Sequence, residues 1–287
     1  MTGPTATLRR RAPQKKMVAK PRSTNKRKRK KSTRTMPVWF RNLLAIVVVF
    51  VFSAGFYYYF IRPYAYRWKP CHTRKEYGVC IPCCYDVHGI DVSHYQGRID
   101  WAKLILTDQT DFPIQFIFMK ATEGSALADD TFEQNFTLAR KYGFIRGAYH
   151  FFSPKADALK QANFFIRTVK LRSGDLPPVL DVELTGRKNK KELQESLKIW
   201  LNRVEAHYGV KPILYTSYKF KIKYLDDPSF DVYPYWIAHY YVDSVAYKGK
   251  WDFWQHTDVG TVKGIKQGVD LNVFNGSIED LRALAIQ

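Results

Sequence analysis

Pro177-Pro178-Val179-Leu180-Asp181-Val182-Glu183 is the stretch on which the fold turns. An apolar run leaves a proline pair and ends in two carboxylates with one valine between them. Val179, Leu180 and Val182 suit a strand buried in a parallel sheet. Side chains alternate along a strand, so Asp181 and Glu183 share a face. Two acids side by side at the carboxyl end of a buried strand repel and shift each other's protonation. The plainer reading is a strand that runs out into solvent, its acids marking the exit.

Working outward, apolar strand-like runs alternate with amphipathic helical stretches from residue 87 onward. His88 to Val92, Ile114 to Ala121 and Ile145 to Phe152 read as strands before the central one, and Pro212 to Thr216 as the strand after it. Helices are predicted at Asp100 to Ile105, Asp129 to Tyr142, Lys155 to Leu171 and Lys190 to Tyr208, with Gly143 and Gly209 as stops. Beyond Thr216 the alternation weakens. Tyr235 to His239, Trp251 to Gln255 and Val269 to Asn272 look like strands without full helices between them, and Ile278 to Ala285 like a closing helix. Repeated strand–helix units imply an α/β fold with a largely parallel sheet covered on its faces. About eight strands in roughly 200 residues point to a modified, closed (β/α) barrel with a degenerate last part. The alternative, a doubly wound open sheet, lacks its Gly-rich phosphate turn here.

Barrels place their working residues at the carboxyl ends of strands. That rule collects Asp91, Asp181, Glu183 and Asp270. Carboxyls in unequal environments are what acid/base chemistry on a glycosidic bond uses. Tyr149, Phe151, Tyr215, Trp236, Tyr240 and Trp254 fall at the same strand ends, where rings either stack on sugar faces or pack the core. His150, His239 and His256 have no metal-ligand spacing and read as structural or hydrogen-bonding groups. Ser93 and Ser217 lack a nucleophile elbow, which argues against acyl transfer. No cofactor or metal is needed.

The formal charge of +20 belongs to a tail: residues 1–41 carry 15 Lys and Arg and no acid, and the remainder nets only +5. Residues 1–37 read as a disordered polybasic segment. Residues 38–61 follow as a membrane-spanning anchor in contact with lipid, with 19 uncharged residues from Leu43 to Ile61. The basic flank places the amino terminus in the cytoplasm and the rest outside the cytoplasmic membrane. The tail then reads as a topology signal rather than a nucleic-acid site. A cleaved signal peptide is the competing reading, against which the length of the apolar run and the lack of a clean cleavage site speak. Residues 62–86 form an aromatic linker with all four cysteines, Cys71, Cys80, Cys83 and Cys84. Pairings that cross to Cys71 and Cys80 are expected over a strained Cys83–Cys84 bridge, and zinc on Cys80-x-x-Cys83 with His72 or His88 is the alternative.

Residues 87–287 resemble the glycoside hydrolase family 25 lysozymes. The resemblance rests on Gly89-Ile90-Asp91-Val92-Ser93-His94-Tyr95-Gln96-Gly97, Lys120-Ala121-Thr122-Glu123-Gly124, Gly147-Ala148-Tyr149-His150-Phe151 and Pro178 to Glu183. Trp236-Ile237-Ala238, Trp254-Gln255-His256-Thr257 and Val269-Asp270-Leu271-Asn272 continue it in the same order. It implies cleavage of the β-1,4 bond between N-acetylmuramic acid and N-acetylglucosamine in peptidoglycan glycan strands. It further implies Glu183 as general acid, with Asp91 and Asp181 ionised and stabilising the transition state. Asp270, Tyr149, Tyr215, Trp236 and Gln255 would contact the glycan. Substrate assistance and a covalent Asp intermediate both remain open. The alternative function is a non-catalytic glycan-binding module on the same barrel.

Overall fold

The computed structural model describes residues 36–62 and 74–287, in two compact units divided between Ile61 and Arg62. The first holds helix α1, Val38–Phe56, continued by a π-helical turn, Tyr57–Ile61. Arg41 is the one charge in this span, none of the α1 side chains is buried, and the 24 residues are long and apolar enough to cross a bilayer. Residues 1–35 of the tail predicted at 1–37, and Cys71 and His72, lie outside the described residues.

The second unit begins with a small ribbon of β1, Lys75–Glu76, and β2, Val79–Cys80. From Arg74 on, the predicted linker is a strap packed onto the barrel. Tyr77 is buried, donates its hydroxyl to the Phe112 carbonyl at 2.6 Å, and its own carbonyl accepts from Thr261 N–H at 2.7 Å. Cys80 is disulfide-bonded, whereas Cys83 and Cys84 are exposed free thiols. This corrects the expected crossing of pairs, since both members of the Cys83-Cys84 dipeptide stand unbridged at the surface. It also removes Cys80 as a zinc ligand, and among the described residues no group of three or more His, Cys, Asp or Glu could hold a metal.

Eight strands close the barrel: β3 (Val87–Val92), β4 (Ile114–Glu123), β6 (Ile145–Phe151), β7 (Val179–Asp181), β8 (Ile213–Ser217), β9 (Tyr235–Ala238), β10 (Phe253–Gly260) and β11 (Val269–Phe274). The short β5, Leu127–Ala128, hooks antiparallel onto the end of β4. Neighbours from β3 through β10 run parallel, and β11 runs antiparallel to both β10 and β3. The 261–268 connection is too short for a crossover helix, so the chain must return as a hairpin. The degenerate last part predicted from sequence is this reversal.

Alternation sorts each strand into an inner and an outer row. Inside lie Val87, Phe116, Phe118, Val179, Ile213, Trp236, Phe253 and Phe274. Glycine is required at Gly89 and Gly147, where a Cβ would stand 2.4 Å from the Phe116 ring and 2.5 Å from the Phe118 ring. The outer row, including Ile90, Ile117, Leu180, Leu214 and Ile237, packs under the helices. These are α2 (Trp101–Leu104), α3 (Phe132–Lys141), α4 (Ala158–Thr168), α5 (Lys190–Tyr208), α6 (Tyr218–Tyr224) and α7 (Ile278–Leu284). Helices α3 and α4 start later than predicted; α4 begins where the Asp157 side chain accepts the Lys160 N–H at 2.8 Å. Helix α5 matches its prediction, with a capping box from Asn189 to Glu192 and Gly209 in the left-handed region.

Candidate active site

The eight residues expected to act on the glycan line one pocket of about 250 Å³: Asp91, Tyr149, Asp181, Glu183, Tyr215, Trp236, Gln255 and Asp270; Phe151 and Tyr240 join them, and Trp254 does not. Strand register explains the convergence. Asp91, next to last in β3, lies directly opposite Asp270 of β11, and Asp181 ends β7 beside Tyr215 of β8. Asp270 corrects the sequence argument, for it reaches the mouth from the amino-terminal end of a reversed strand. Past Asp181 the chain stays pinned to β8. Val182 N–H donates to the Tyr215 carbonyl at 2.9 Å and the Val182 carbonyl accepts the Thr216 hydroxyl at 2.7 Å. That holds Glu183 on the face of Asp181, at the solvent-exposed mouth.

Asp91 is buried, yet its Oδ2 accepts two N–H bonds, from Gln255 Nε2 at 2.7 Å and Asn272 Nδ2 at 2.8 Å. Neighbouring donors fix both amides. Trp236 Nε1 donates to Asn272 Oδ1 at 2.8 Å, and the Tyr215 hydroxyl donates to Gln255 Oε1 at 2.7 Å with Tyr240 beside it. An indole N–H can only donate, so the Asn272 NH₂ must face Asp91. Asn272 was not picked out from sequence, although it lies two positions from Asp270 and so on the same face.

These contacts grade the acids. Burial raises Asp91, the Asn272 and Gln255 bonds oppose it, and the result is about 6. Asp270 is pushed up to about 9, by burial first and then by the charges of Asp91 and Asp258. Asp181 rises well above the carboxylate range through burial, Glu183 and Asp91, and its buried Oδ1 has no hydrogen-bond partner. Glu183 is raised by the wall around it, with Tyr215 and Lys120 pulling the other way. Burial and acidic neighbours thus oppose the ionised form expected of Asp181, whereas Asp91 has two amide donors that favour it.

Lys120 also lines the pocket, on the inner row of β4 two positions beyond Phe118, and was missed for lack of any acid-like signature. Its Nζ meets Glu123 at 2.6 Å. Trp236 is buried, stacked on Phe118 at 4.5 Å with its N–H committed, so it supports the floor rather than offering an open face. His150 is a structural link as expected: Nδ1 lies 2.7 Å from the Thr122 hydroxyl and Nε2 3.2 Å from Gln161. Burial takes its pKa down to about 3.

Residues 90–265 match the sequence profile of Glycosyl hydrolases family 25. YegX of Escherichia coli (strain K12) is 45% identical over 219 residues, covering 76% of this chain and 79% of that protein. Lysozyme M1 of Streptomyces globisporus is 35% identical over 214 residues, covering 69% of this chain and 71% of its own. The structure of a family 25 glycosyl hydrolase from Bacillus anthracis superposes with a TM-score of 0.65 at 34% identity, covering 76% of this chain and 100% of the other. A closed barrel, a mouth of four acids and this likeness along most of the chain lead to one conclusion: the chain belongs to glycosyl hydrolases family 25 and is a glycosidase of the lysozyme type.

Proposed function

We propose that the chain is a muramidase that cuts the β-1,4 bond between N-acetylmuramic acid and N-acetylglucosamine, with Glu183 as general acid. The observation that supports this most is the convergence of Asp91, Asp181, Glu183 and Asp270 on one pocket, with Glu183 alone at its exposed rim. Glu183 is the carboxyl at the open mouth, and its raised pKa favours the protonated form that the leaving oxygen needs. Asp91, clamped by two amides, is the buried acid most ready to carry negative charge under an oxocarbenium-like transition state. Asp270 holds sugar hydroxyls. Asp181 offers its unpartnered Oδ1 to the acetamido N–H of the sugar, which would hold that group in line for attack on the anomeric carbon and favours its participation. A thiazoline analogue of that sugar then inhibits, and failure to inhibit at any concentration reached argues for the covalent route.

The test is clearing of purified peptidoglycan with analysis of the new reducing ends. Muramic acid ends are expected, and Glu183→Gln should lower kcat by about 10²–10⁴-fold with binding retained. Binding with no new ends from the wild type refutes the enzyme reading and leaves the glycan-binding module. Residues 38–61 serve as a lipid-embedded anchor with the basic tail in the cytoplasm and the barrel outside. Protease added to intact spheroplasts should remove the barrel, and full protection overturns this topology.

A further inference from the structure

A second groove, of about 710 Å³, lies along α3 and α4 and the loop that follows α4. Its floor is the buried Arg146, whose guanidinium sits 3.7 Å from the centre of the Phe136 ring and bonds both oxygens of Asp175, at 2.7 and 3.1 Å. Asp175 is itself buried and also accepts from Arg140 at 3.1 Å and from the Arg172 backbone N–H at 2.8 Å. Four donors thus occupy its two oxygens, and it has nothing left for the cations above it. Lys170 turns its ammonium to the Ile166 carbonyl. Among the described residues Arg167 and Arg172, both exposed, have no carboxylate partner.

The other end of the groove carries the opposite sign. Asp130 and Glu133 stand at the start of α3, exposed and without a cation partner among the described residues. Glu133 and Arg140 are two helical turns apart, roughly 10 Å. The acidic end also abuts the catalytic mouth. Asp129 holds His94 at 2.8 Å on the loop whose next residues, Tyr95 and Gln96, line the catalytic pocket. A uniformly basic groove would take any oxyanion. A groove with separated signs repels a polyanion at one end and suits a short zwitterion.

We propose that this groove binds the peptide stems carried by the glycan, with stem carboxylates on Arg167 and Arg172 and a stem amine toward Asp130 and Glu133. This rests on the muramidase reading and extends it to the part of the polymer that is not cut. Guanidinium forks match carboxylates in geometry as well as charge. The stem bound here would orient the strand before its linkage enters the pocket.

The experiment compares the full chain with its Arg167→Gln/Arg172→Gln variant on peptide-bearing and enzymatically peptide-stripped glycan strands. In parallel, both are titrated with the synthetic tripeptide L-Ala-γ-D-Glu-L-Lys. On peptide-bearing strands the variant should show KM raised about fivefold to tenfold with kcat unchanged, and no change on stripped strands. Tripeptide binding should be lost in the variant, weakened by acetylating the peptide amine, and weakened by salt. Equal KM shifts on both substrates overturn the proposal, as does equal tripeptide affinity in both proteins. Inorganic phosphate competing as well as the tripeptide reduces the groove to a simple oxyanion site and also overturns it. If the wild type cuts neither substrate, the muramidase reading fails, and the titration alone decides the groove.

Discussion

Below the level of Phe118 and Trp236 the barrel interior is apolar, filled by Val87, Phe116, Val179, Ile213, Phe253 and Phe274. Above it the same strands present Asp91, Lys120, Asp181, Gln255 and Asp270. Both halves obey one alternation, and every polar residue of the upper half sits two or four positions along its strand from an apolar one of the lower half. The difference teaches how the site is made. The lower half is a rigid plug of rings, with Phe118 at 4.5 Å from Trp236 and at 5.2 Å from Phe253. On that plug rests a layer of amides and phenols that dictates which acid keeps its proton.

If the halves divide the work in this way, substitutions in the upper one should cost activity before stability. Asp91→Asn removes the charge facing the transition state and should lower kcat by about 10²–10³-fold, the range for loss of one preorganised electrostatic group. Thermal melts should show the variant no less stable than the wild type. A variant with wild-type kcat removes Asp91 from the chemistry. Next in size comes the converse, Gly147→Ala. Its new Cβ would meet the Phe118 ring at 2.5 Å and the Leu176 Cβ at 3.2 Å. Overpacking of this kind costs about 1–3 kcal/mol, read as a lower urea midpoint. Because Phe118 carries Trp236, which orients Asn272, kcat should fall as well. A destabilised variant with full kcat would show that the plug does not set the upper layer.

The sequence makes the upper half easier to read than its wiring. Asp181 and Glu183 announce themselves because two acids end an apolar run, and the barrel follows from strand–helix repeats. The direction of β11 does not, since Val269-Asp270-Leu271-Asn272 has the same alternation whichever way it runs. Only the short 261–268 connection hints at a hairpin. Lys120 and Asn272 are equally hidden. Each continues an inward row, but nothing local says that a lysine inside a strand faces a pocket, or that an amide is held by an indole from another strand. The raised pKa of Asp181 is further still from the sequence. It comes from burial and from the charges of Glu183 and Asp91, which are properties of three-dimensional surroundings alone.

A smaller effect tests the strain stored in the acid layer. Asp270 is raised to about 9 by burial and by its acidic neighbours. A carboxyl whose folded pKa lies above its unfolded value holds an extra proton in the folded state, so stability falls as pH rises from near 4 towards 9. Asp270→Asn should therefore raise the unfolding free energy at pH 8 by about 1–3 kcal/mol. The gain should vanish below about pH 3, where both states of the wild type are protonated. A gain that is the same at both pH values would come from packing and would remove the electrostatic account.

The smallest expected effect separates the plug from the wiring most cleanly. Asn272 lowers the Asp91 pKa by donating to its Oδ2, so without that donor burial acts less opposed. If Asp91 must be ionised for turnover, kcat/KM rises with pH through its pKa, which lies at about 6. In Asn272→Ala that limb should move to higher pH by about one unit, the low end for one lost hydrogen bond to a charged group. Gln255→Leu should move it the same way, since Gln255 supplies the other donor. A purely structural role for Asn272 would depress kcat/KM at every pH and leave the limb in place. A shifted limb with little loss at the plateau is a result that only a group acting through Asp91 can give.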